Sequence, residues 1–396
     1  MKNKCFLALL MVVVMMCACW TGVLAEDEER EIFTSGDYTY ALLDDGTVEI
    51  TWYRGDAEEL IIPDTLAGKT VTAIGDIAFS LCYSLTTVTI PDSVTAIGDS
   101  AFYFCTSLTS VTIPDSVTAI GDSAFYYCKS LTSVTIPDSV EQIGMNPFAF
   151  CSALKTIFVS PDHPYLAVID DVLFRKADKA LISYPAGKNS STYTIPRGIA
   201  SIGDRAFYSC DSLTSVSISD SVTSIGDEAF SGCVSLTTVT IPDSVTAIGD
   251  STFSFCISLT TVTIPDSIEQ IGMNPFAACS KLKTIFVSPE HLYFATIDGA
   301  LFRKADKALI SYPAGISSST YTIPQGITAI GDGAFDHCKS LTSVTIPDSV
   351  TSIGDWAFSS CDSLTLTVPR NSYAAEYAKT NNIPYTYLDA NDWLNN

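Results

Sequence analysis

Apolar and polar residues alternate over short β-branched runs that recur along most of the chain. In residues 131–136, Leu131, Val134 and Ile136 are separated by threonine and serine, and this alternation predicts a short strand with one buried face. Pro137-Asp138-Ser139 comes next. Because proline cannot donate to a strand ladder and Asp and Ser favour turns, we expect the strand to end there.

The remainder of each run predicts a bend and a compact turn. After the proline, Val140, Ile143 and Phe148 are again expected to point inward, and Gly144 lies at a bend that tolerates little bulk. The stretch from there to Cys151 is too short for more than a helical or 3₁₀ turn. One unit is therefore predicted to be a strand, a bend and a turn that share one apolar side.

The unit recurs with a regular period. An Ile-Gly pair begins at residues 74, 97, 120, 143, 202, 225, 248, 271, 330 and 353, so successive copies are 23 residues apart except for two steps of 59. One unit cannot bury its apolar side alone, whereas stacked units bury a continuous core. The period predicts a parallel β-solenoid whose rungs are about 4.8 Å apart.

The two long steps contain inserts, at about 159–196 and 287–324, that are near copies of each other. In the first, Val172–Lys176 and Ala180–Tyr184 read as two strands around the turn Ala177-Asp178-Lys179. Each insert is therefore predicted to be a β-hairpin extension of one unit. Its basic tip would comprise Arg175, Lys176 and Lys179, with Arg303, Lys304 and Lys307 in the second copy.

The ends of the chain differ from the repeat. Residues 36–55 fit a hairpin with Asp45-Gly46 in its turn, and residues 371–388 fit a short helix followed by a last strand. The predicted organisation is a signal peptide (1–25), an N-terminal β-hairpin cap (26–72), a repeat solenoid (73–369) and a C-terminal helix-strand cap (370–396).

The repeated phrase resembles the unit of the BspA-like (Treponema-type) leucine-rich repeat family. Residues 108–128 carry the resemblance through Leu108, Val111, Ile113, Pro114, Val117, Ile120, Ala124, Phe125 and Cys128. Departures are small: Ser219 replaces the turn proline in one unit, and Pro147 and Pro275 replace the alanine in two others. The resemblance implies a β-dominated α/β repeat solenoid, a leucine-rich repeat arc with a parallel sheet. It also implies a bacterial or protist surface protein that adheres to host matrix or to other cells.

The beginning of the chain predicts export. Lys2 and Lys4 precede an apolar run of about 15 residues, and Val23-Leu24-Ala25 forms a small-residue cleavage site. A transmembrane span would need about 20 apolar residues. An alternative is a lipid anchor on Cys19, because Met16-Cys17-Ala18-Cys19 loosely resembles a bacterial lipobox. Both the cleaved signal peptide and the lipid anchor predict a protein outside the cell, either secreted or on the cell surface.

The charge of the chain excludes one class of partner. The formal net charge is −23, and removal of a signal with two lysines and no acid makes it −25. A chain this acidic, without a Lys/Arg stripe, repels the phosphates of nucleic acids. Solubility alone is a sufficient reason for the charge.

Ten cysteines of the predicted mature chain occupy the same place in every unit. They are Cys82, Cys105, Cys128, Cys151, Cys210, Cys233, Cys256, Cys279, Cys338 and Cys361. An even number in an exported protein favours disulfides, but in-register side chains on adjacent rungs point the same way, whereas a disulfide needs the two Cβ atoms turned toward each other. We predict a structural thiol ladder, with occasional disulfides as the alternative.

Few residues suggest chemistry. The three histidines are His163, His291 and His337, and the pair His337–Cys338 is the best catalytic candidate, although sequence neighbours seldom have the geometry of a base and its nucleophile. Paired cysteines with zinc spacing are absent. Two rows of aspartates leave Ca²⁺ as an alternative to a turn-forming role. We expect no enzyme activity, cofactor or metal.

The outward strand positions are the candidate binding surface. They are Thr86, Thr87, Thr89, Thr109, Ser110, Thr112, Thr132, Ser133, Thr135, Thr237, Thr238, Thr240, Thr260, Thr261 and Thr263. Such residues also simply favour strands and solubility. The expected function is non-enzymatic recognition or adhesion, with an extracellular protein or glycan, including host matrix, as partner. Alternatives are a self-associating surface-layer component and, through the Thr-x-Thr array, an ice-binding face.

Overall fold

A computed structural model describes residues 30–388. The predicted signal peptide and Cys19 lie outside these described residues. Within them the chain is a β-dominated solenoid with 23-residue rungs, as the repeat predicts, and each full rung carries two short parallel strands joined by turns.

The first strand of each rung has the Thr/Ser alternation, and these strands form what we call the threonine sheet. Backbone hydrogen bonds join these strands into five separate parallel groups, and within a group the strands are in register, so that Thr87, Val88 and Thr89 lie opposite Ser110, Val111 and Thr112. They are Glu59–Ile61, Thr87–Thr89, Ser110–Thr112, Ser133–Thr135, Thr156–Phe158, Thr192–Thr194, Ser215–Ser217, Thr238–Thr240, Thr261–Ile264, Thr284–Val287, Thr320–Thr322, Ser343–Thr345, Thr365–Val368 and Tyr385–Tyr387.

The second strand of each rung is a short extended segment that ends at the repeated isoleucine, and these strands form the isoleucine sheet. The sequence predicts only a bend and a turn here, so this strand is an addition to the expected architecture. The strands are Lys69–Ile74, Ala96–Ile97, Ala119–Ile120, Gln142–Ile143, Ser201–Ile202, Ser224–Ile225, Ala247–Ile248, Gln270–Ile271, Ala329–Ile330 and Ser352–Ile353.

The core between the two sheets and the turns is built from equivalent residues of successive rungs. The inward set predicted for residues 108–128 is buried throughout, from Leu108 to Cys128. Phenylalanine rings of neighbouring rungs stack nearly parallel, for example Phe102 on Phe125 with centroids 5.2 Å apart and 1° between the planes. Stacking of this kind lets each rung bury the ring of the next, because an isolated rung would leave it in water.

Each insert forms three antiparallel strands rather than the predicted hairpin of two. The strands are Leu166–Ile169, Val172–Arg175 and Ala180–Ser183 in the first insert, and Phe294–Ile297, Ala300–Arg303 and Ala308–Ser311 in the second. The third strand turns back into the solenoid, where Leu181 lies opposite Ile202 in parallel register. Each insert therefore supplies a rung of the isoleucine sheet as well as an extension.

An asparagine links the rungs on either side of each insert. Asn146 Nδ2 donates to the carbonyl of Arg205 at 2.7 Å, 59 residues further along the chain, while its Oδ1 accepts from the Phe148 amide. Asn274 makes the same pair of bonds, to Gly333 and Phe276. The amide side chains thus carry hydrogen bonds across the interruption.

Both ends of the solenoid carry elements outside the repeat. At the N-terminal end Ile32–Ser35, Tyr38–Leu42 and Val48–Tyr53 form an antiparallel meander that pairs with the strand Lys69–Ile74, which Thr65–Leu66 flanks. At the other end the helix Tyr373–Thr380 begins at the N-cap Ser372, whose side chain accepts from the Ala375 amide. The predicted domain boundaries remain predictions.

Candidate functional site

The residues predicted to line a binding surface lie on the outer side of the threonine sheet. Thr86 and Thr87, next to the N-terminal cap, are half-buried, and the other thirteen are exposed. Their backbone is fixed by the in-register ladder, and the alternating valines beneath them are buried. Because successive side chains of a strand point to opposite faces, the outward threonines and serines form a regular array of hydroxyl groups on one face of the sheet.

The array divides into three columns with different chemistry. In the first column the hydroxyls of Thr86, Thr109 and Thr237 bond back to the preceding rung: Thr109 Oγ1 donates to the Thr86 carbonyl at 3.0 Å, and Thr237 does the same to Thr214 at 3.1 Å. Among the predicted surface residues, the hydroxyls of the second and third columns, such as those of Thr238 and Thr240, make no hydrogen bond to a protein group within residues 30–388. Further along the third column, the Thr367 hydroxyl lies 3.4 Å from that of Thr386. The surface with free hydrogen-bonding capacity is therefore narrower than predicted.

The third column ends in an exposed aromatic ring beside each insert. Phe158 lies in register with Thr135, and Phe286 with Thr263. Their residues are 52% and 56% exposed. The sequence analysis did not predict a role for these two residues. A comparison of this column from Thr89 onward would have revealed them, because the other rungs carry threonine or serine there.

The two rows of aspartates have separate roles. In the row after the glycine, every carboxylate except that of the last residue, Asp355, accepts the backbone amide of the next rung, as Asp99 does from Asp122 and Asp227 from Asp250, both at 2.7 Å. In the row after the proline, carboxylates such as Asp243 and Asp266 are exposed beside the third column. Among the described residues, no three His, Cys, Asp or Glu side chains converge as metal ligands.

All ten cysteines of residues 30–388 are free thiols in the structure, and eight are buried. Each thiol from Cys105 onward lies near the carbonyl of an aromatic residue 26 positions earlier, as in Cys233 Sγ to Phe207 O at 3.0 Å. Burial raises the pKa of Cys128, Cys210 and Cys256 well above the usual value. A buried thiol with a raised pKa is a poor nucleophile at neutral pH.

The arrangement predicts the response of these thiols to a disulfide-exchange reagent. In native protein purified without reductant, we expect at most the half-buried Cys82 and Cys361 to react within minutes, because the other eight are buried. After denaturation all ten should react. Fewer than about eight reactive thiols in the denatured, unreduced protein would instead favour disulfides.

The buried histidines hold the inserts to the solenoid. His163 Nε2 lies 3.0 Å from the Pro137 carbonyl, and its Nδ1 accepts from the amides of Tyr165 and Leu166. This bonding requires the neutral ring with its proton on Nε2, and burial lowers the pKa of His163. His291 has equivalent contacts, to Pro265, Tyr293 and Phe294.

The catalytic candidate lacks the geometry of a nucleophile and base. Cys338 Sγ lies near the carbonyls of Tyr312 and Asp336, and the His337 ring pairs with the Asp336 carboxylate at 2.9 Å. Burial raises the pKa of Cys338 well above its usual value, which disfavours the thiolate that attack requires. These contacts give no support to a thiol mechanism.

Two of the three cations in each basic tip are held by groups of the insert or the adjoining rung, and Lys179 and Lys307 are exposed. Arg175 makes a bidentate ion pair with Asp178 and also donates to the Ile143 carbonyl, while Lys176 donates to the His163 carbonyl. Arg303 and Asp306 repeat the pair. The predicted cationic patch is therefore mostly used within the insert.

A cluster of half-buried aromatic rings near the first insert was also not predicted. Its members stack across rungs, with Phe104 and Tyr127 4.0 Å apart and Tyr127 and Phe150 4.4 Å apart, and Lys129 Nζ lies 4.1 Å from the Tyr127 ring centroid. Tyr103, Tyr126 and Tyr208 extend the cluster. Stacking of rings on each other leaves mostly their edges for contact with other molecules.

No helix within residues 30–388 combines the length and the apolar character that a membrane crossing requires.

Comparisons with known proteins agree with the architecture. A family model described as "BspA type Leucine rich repeat region (6 copies)" matches residues 72–191, 183–308 and 312–381. No curated protein sequence matches the chain. A leucine-rich repeat protein from Eubacterium ventriosum is 24% identical, with a TM-score of 0.53, over 83% of this chain and 88% of that one.

A second similar structure is a leucine-rich cell surface protein from Faecalibacterium prausnitzii. It is 29% identical, with a TM-score of 0.40, over 94% of this chain and 98% of that chain. A leucine-rich repeat protein from Bacteroides capillosus is 36% identical, with a TM-score of 0.31, over 33% of this chain and 98% of that one.

Proposed function

The chain belongs to the BspA-type leucine-rich repeat family, and we propose that it is a secreted or cell-surface, non-enzymatic recognition protein. It binds an extracellular protein or glycan through the outer side of the threonine sheet. The observation that carries this proposal is the regular array of exposed hydroxyls that the predicted surface residues present in the second and third columns, which no protein group within residues 30–388 hydrogen-bonds.

The chemistry of the array suits recognition by many weak contacts. Each rung repeats the same side chains on a backbone held by the ladder, so little conformational entropy remains to be lost on binding. A partner that contacts several rungs gains affinity from each of them. In the described part of the chain the His337–Cys338 pair lacks the geometry of a nucleophile and base, and burial raises the pKa of the Cys210 and Cys338 thiols, which favours their protonated form.

Binding should be lost when the array is blocked. The predicted mature chain is tested against immobilised fibronectin, fibrinogen, mucin and arrayed glycans. Thr240→Arg with Thr263→Arg places bulk and charge in the third column, and should weaken binding at least about tenfold, or about 1.4 kcal/mol. The matched control is Gln142→Arg with Gln270→Arg, exposed positions on the isoleucine sheet, and should change affinity less than twofold.

Two results would contradict the proposal. One is the absence of binding to every probe by the unmodified chain. The other is an equal loss in the two double variants, which would place the contact elsewhere or indicate a general effect of added charge.

Self-association is a second candidate that the ends of the threonine sheet favour. Among the described residues, Glu59–Ile61 and Tyr385–Tyr387 each pair with a strand on one side only, and Ile61 is 78% exposed. Unpaired strand edges invite pairing with another chain, and contacts between opposite ends generate open filaments. Light scattering that rises with concentration in the absence of any partner would favour this candidate.

A further inference from the structure

The exposed phenylalanines Phe158 and Phe286 interrupt the repeat at two equivalent places. Successive rungs that lead to the second ring carry Thr194, Ser217, Thr240 and Thr263 at the same outward position. Both rings occupy the last rung before an insert and are more than half exposed. Phe158 and Phe286 are 128 residues apart, which is also the distance between the starts of the two inserts. The interruption therefore belongs to a larger repeated unit and is not a single accident.

The fold does not require these rings. Threonine occupies the same position in register on the neighbouring rungs and keeps the same ladder, as Thr135 does beside Phe158. Within the described part of the chain, neither ring stacks on another aromatic side chain. A single exposed ring is common on protein surfaces. These two rings recur at equivalent positions beside exposed hydroxyls, and that recurrence is what points to contact with something outside the chain.

The ring of Phe286 closes a shallow trough that runs across the rungs. Two overlapping depressions of about 580 and 640 Å³ share Thr240, Ile241 and Asp243. Together they extend from Ser217 to Phe286. These four rungs span about 14 Å at the usual strand spacing. One wall is formed by exposed carboxylates, those of Asp220, Asp243 and Asp266.

We propose that this trough, and the equivalent outward residues that lead to Phe158, bind a neutral oligosaccharide, with the chain of sugars lying along the rungs. The partially positive C–H face of a pyranose fits the negative face of the phenylalanine ring. Sugar hydroxyls both donate and accept, as the Thr and Ser hydroxyls do. Their O–H groups also form charge-assisted bonds to carboxylates. The inference rests on the proposed recognition function and assigns its ligand class.

The charge of the trough selects among glycans. Its side-chain polar groups are hydroxyls and carboxylates, and none of the residues that line it is Lys, Arg or His. Sialylated or sulfated glycans would bring negative charge against the carboxylate wall without a compensating cation, so they should be excluded. The first copy repeats the order of outward residues, with Thr89, Thr112 and Thr135 leading to Phe158.

The two copies give the proposal a stoichiometric test. Isothermal titration calorimetry measures the affinity and the number of sites for cello-, manno- and chito-oligosaccharides of three to six units, and for a sialylated oligosaccharide. The chain should bind at least one neutral series at two sites and should not bind the sialylated probe. Phe286→Thr should leave one site, and Phe158→Thr with Phe286→Thr should reduce affinity at least tenfold. Both changes install the residue of neighbouring rungs, so the fold should persist.

The control is Phe255→Ser, which removes an equally exposed ring from the turns and should leave binding unchanged. The proposal is overturned if no neutral series binds at millimolar concentration, or if the double variant binds as well as the unmodified chain. If a protein probe binds, is lost with Thr240→Arg and Thr263→Arg, and is unaffected by Phe→Thr, the recognition function stands and the sugar assignment fails.

Discussion

Replacing Phe230 by alanine is expected to lower the free energy of unfolding by about 3–5 kcal/mol. Its ring is fully buried and lies between Phe207 and Phe253, with centroids 4.8 and 5.3 Å away and interplanar angles of 9° and 5°. Removal leaves a cavity that the rungs cannot close, because the backbone ladder fixes their separation. Two ring contacts are lost together with the buried area.

The loss should also be transmitted along the solenoid. A repeat array gains stability from interfaces between neighbours, so a weakened rung near the middle can divide unfolding into two steps. Urea unfolding followed by circular dichroism measures both effects. Phe255→Ala, at an exposed ring, should change stability by less than about 0.5 kcal/mol. Equal losses in the two variants would contradict the role assigned to the stack.

Alkaline pH is expected to destabilise the protein steeply above about pH 8.5. Burial raises the pKa of Cys128, Cys210, Cys256 and Cys338 well above the ordinary value and that of Cys279 to about 12. Between the unfolded and folded pKa values the unfolded chain binds fewer protons than the native chain, so stability falls as pH rises. The stabilisation that these thiols provide is fully present at pH values below the pKa of a thiol in the unfolded chain.

The magnitude follows from the number of thiols. One pH unit above the unfolded pKa, each of these five thiols should cost about 1 kcal/mol, so that together they lower the free energy of unfolding by several kcal/mol. The measurement is the urea midpoint at pH 7.5, 8.5 and 9.5 with a reductant present. Cys256→Ala with Cys279→Ala removes two of these thiols and should show a smaller fall between pH 8.5 and 9.5 than the unmodified chain. An identical pH dependence in both proteins would contradict the explanation.

The residues that face the core could be predicted because one pattern is repeated ten times. Leu108, Val111 and Ile113 alternate with polar residues, and alternation alone decides which side of a strand is buried. The second strand, such as Ala119–Ile120, could not be predicted in this way. A strand of two residues is too short to show an alternation of apolar and polar positions, and its extended form depends on the rungs above and below.

The site was predicted less completely than the core. The outward position of the threonines follows from the alternation of apolar and polar residues. The hydrogen bonds from Thr109 and Thr237 to the preceding rung depend on how neighbouring rungs are aligned, and the sequence of one rung does not determine that alignment. The burial of His163 likewise depends on contact with Pro137 of an earlier rung. Phe158 and Phe286 could have been selected from the sequence by comparing one column across all the rungs.

The asparagine links at the inserts have a consequence for how the gene can change. Asn146 and Asn274 make the same bonds across their interruptions, and the segments around them are nearly identical. Unequal recombination between the two copies would add or delete the whole block from one link to the next and leave the same junction behind. The length of the protein, and with it the number of proposed oligosaccharide sites, can therefore vary in whole steps without a new interface having to evolve.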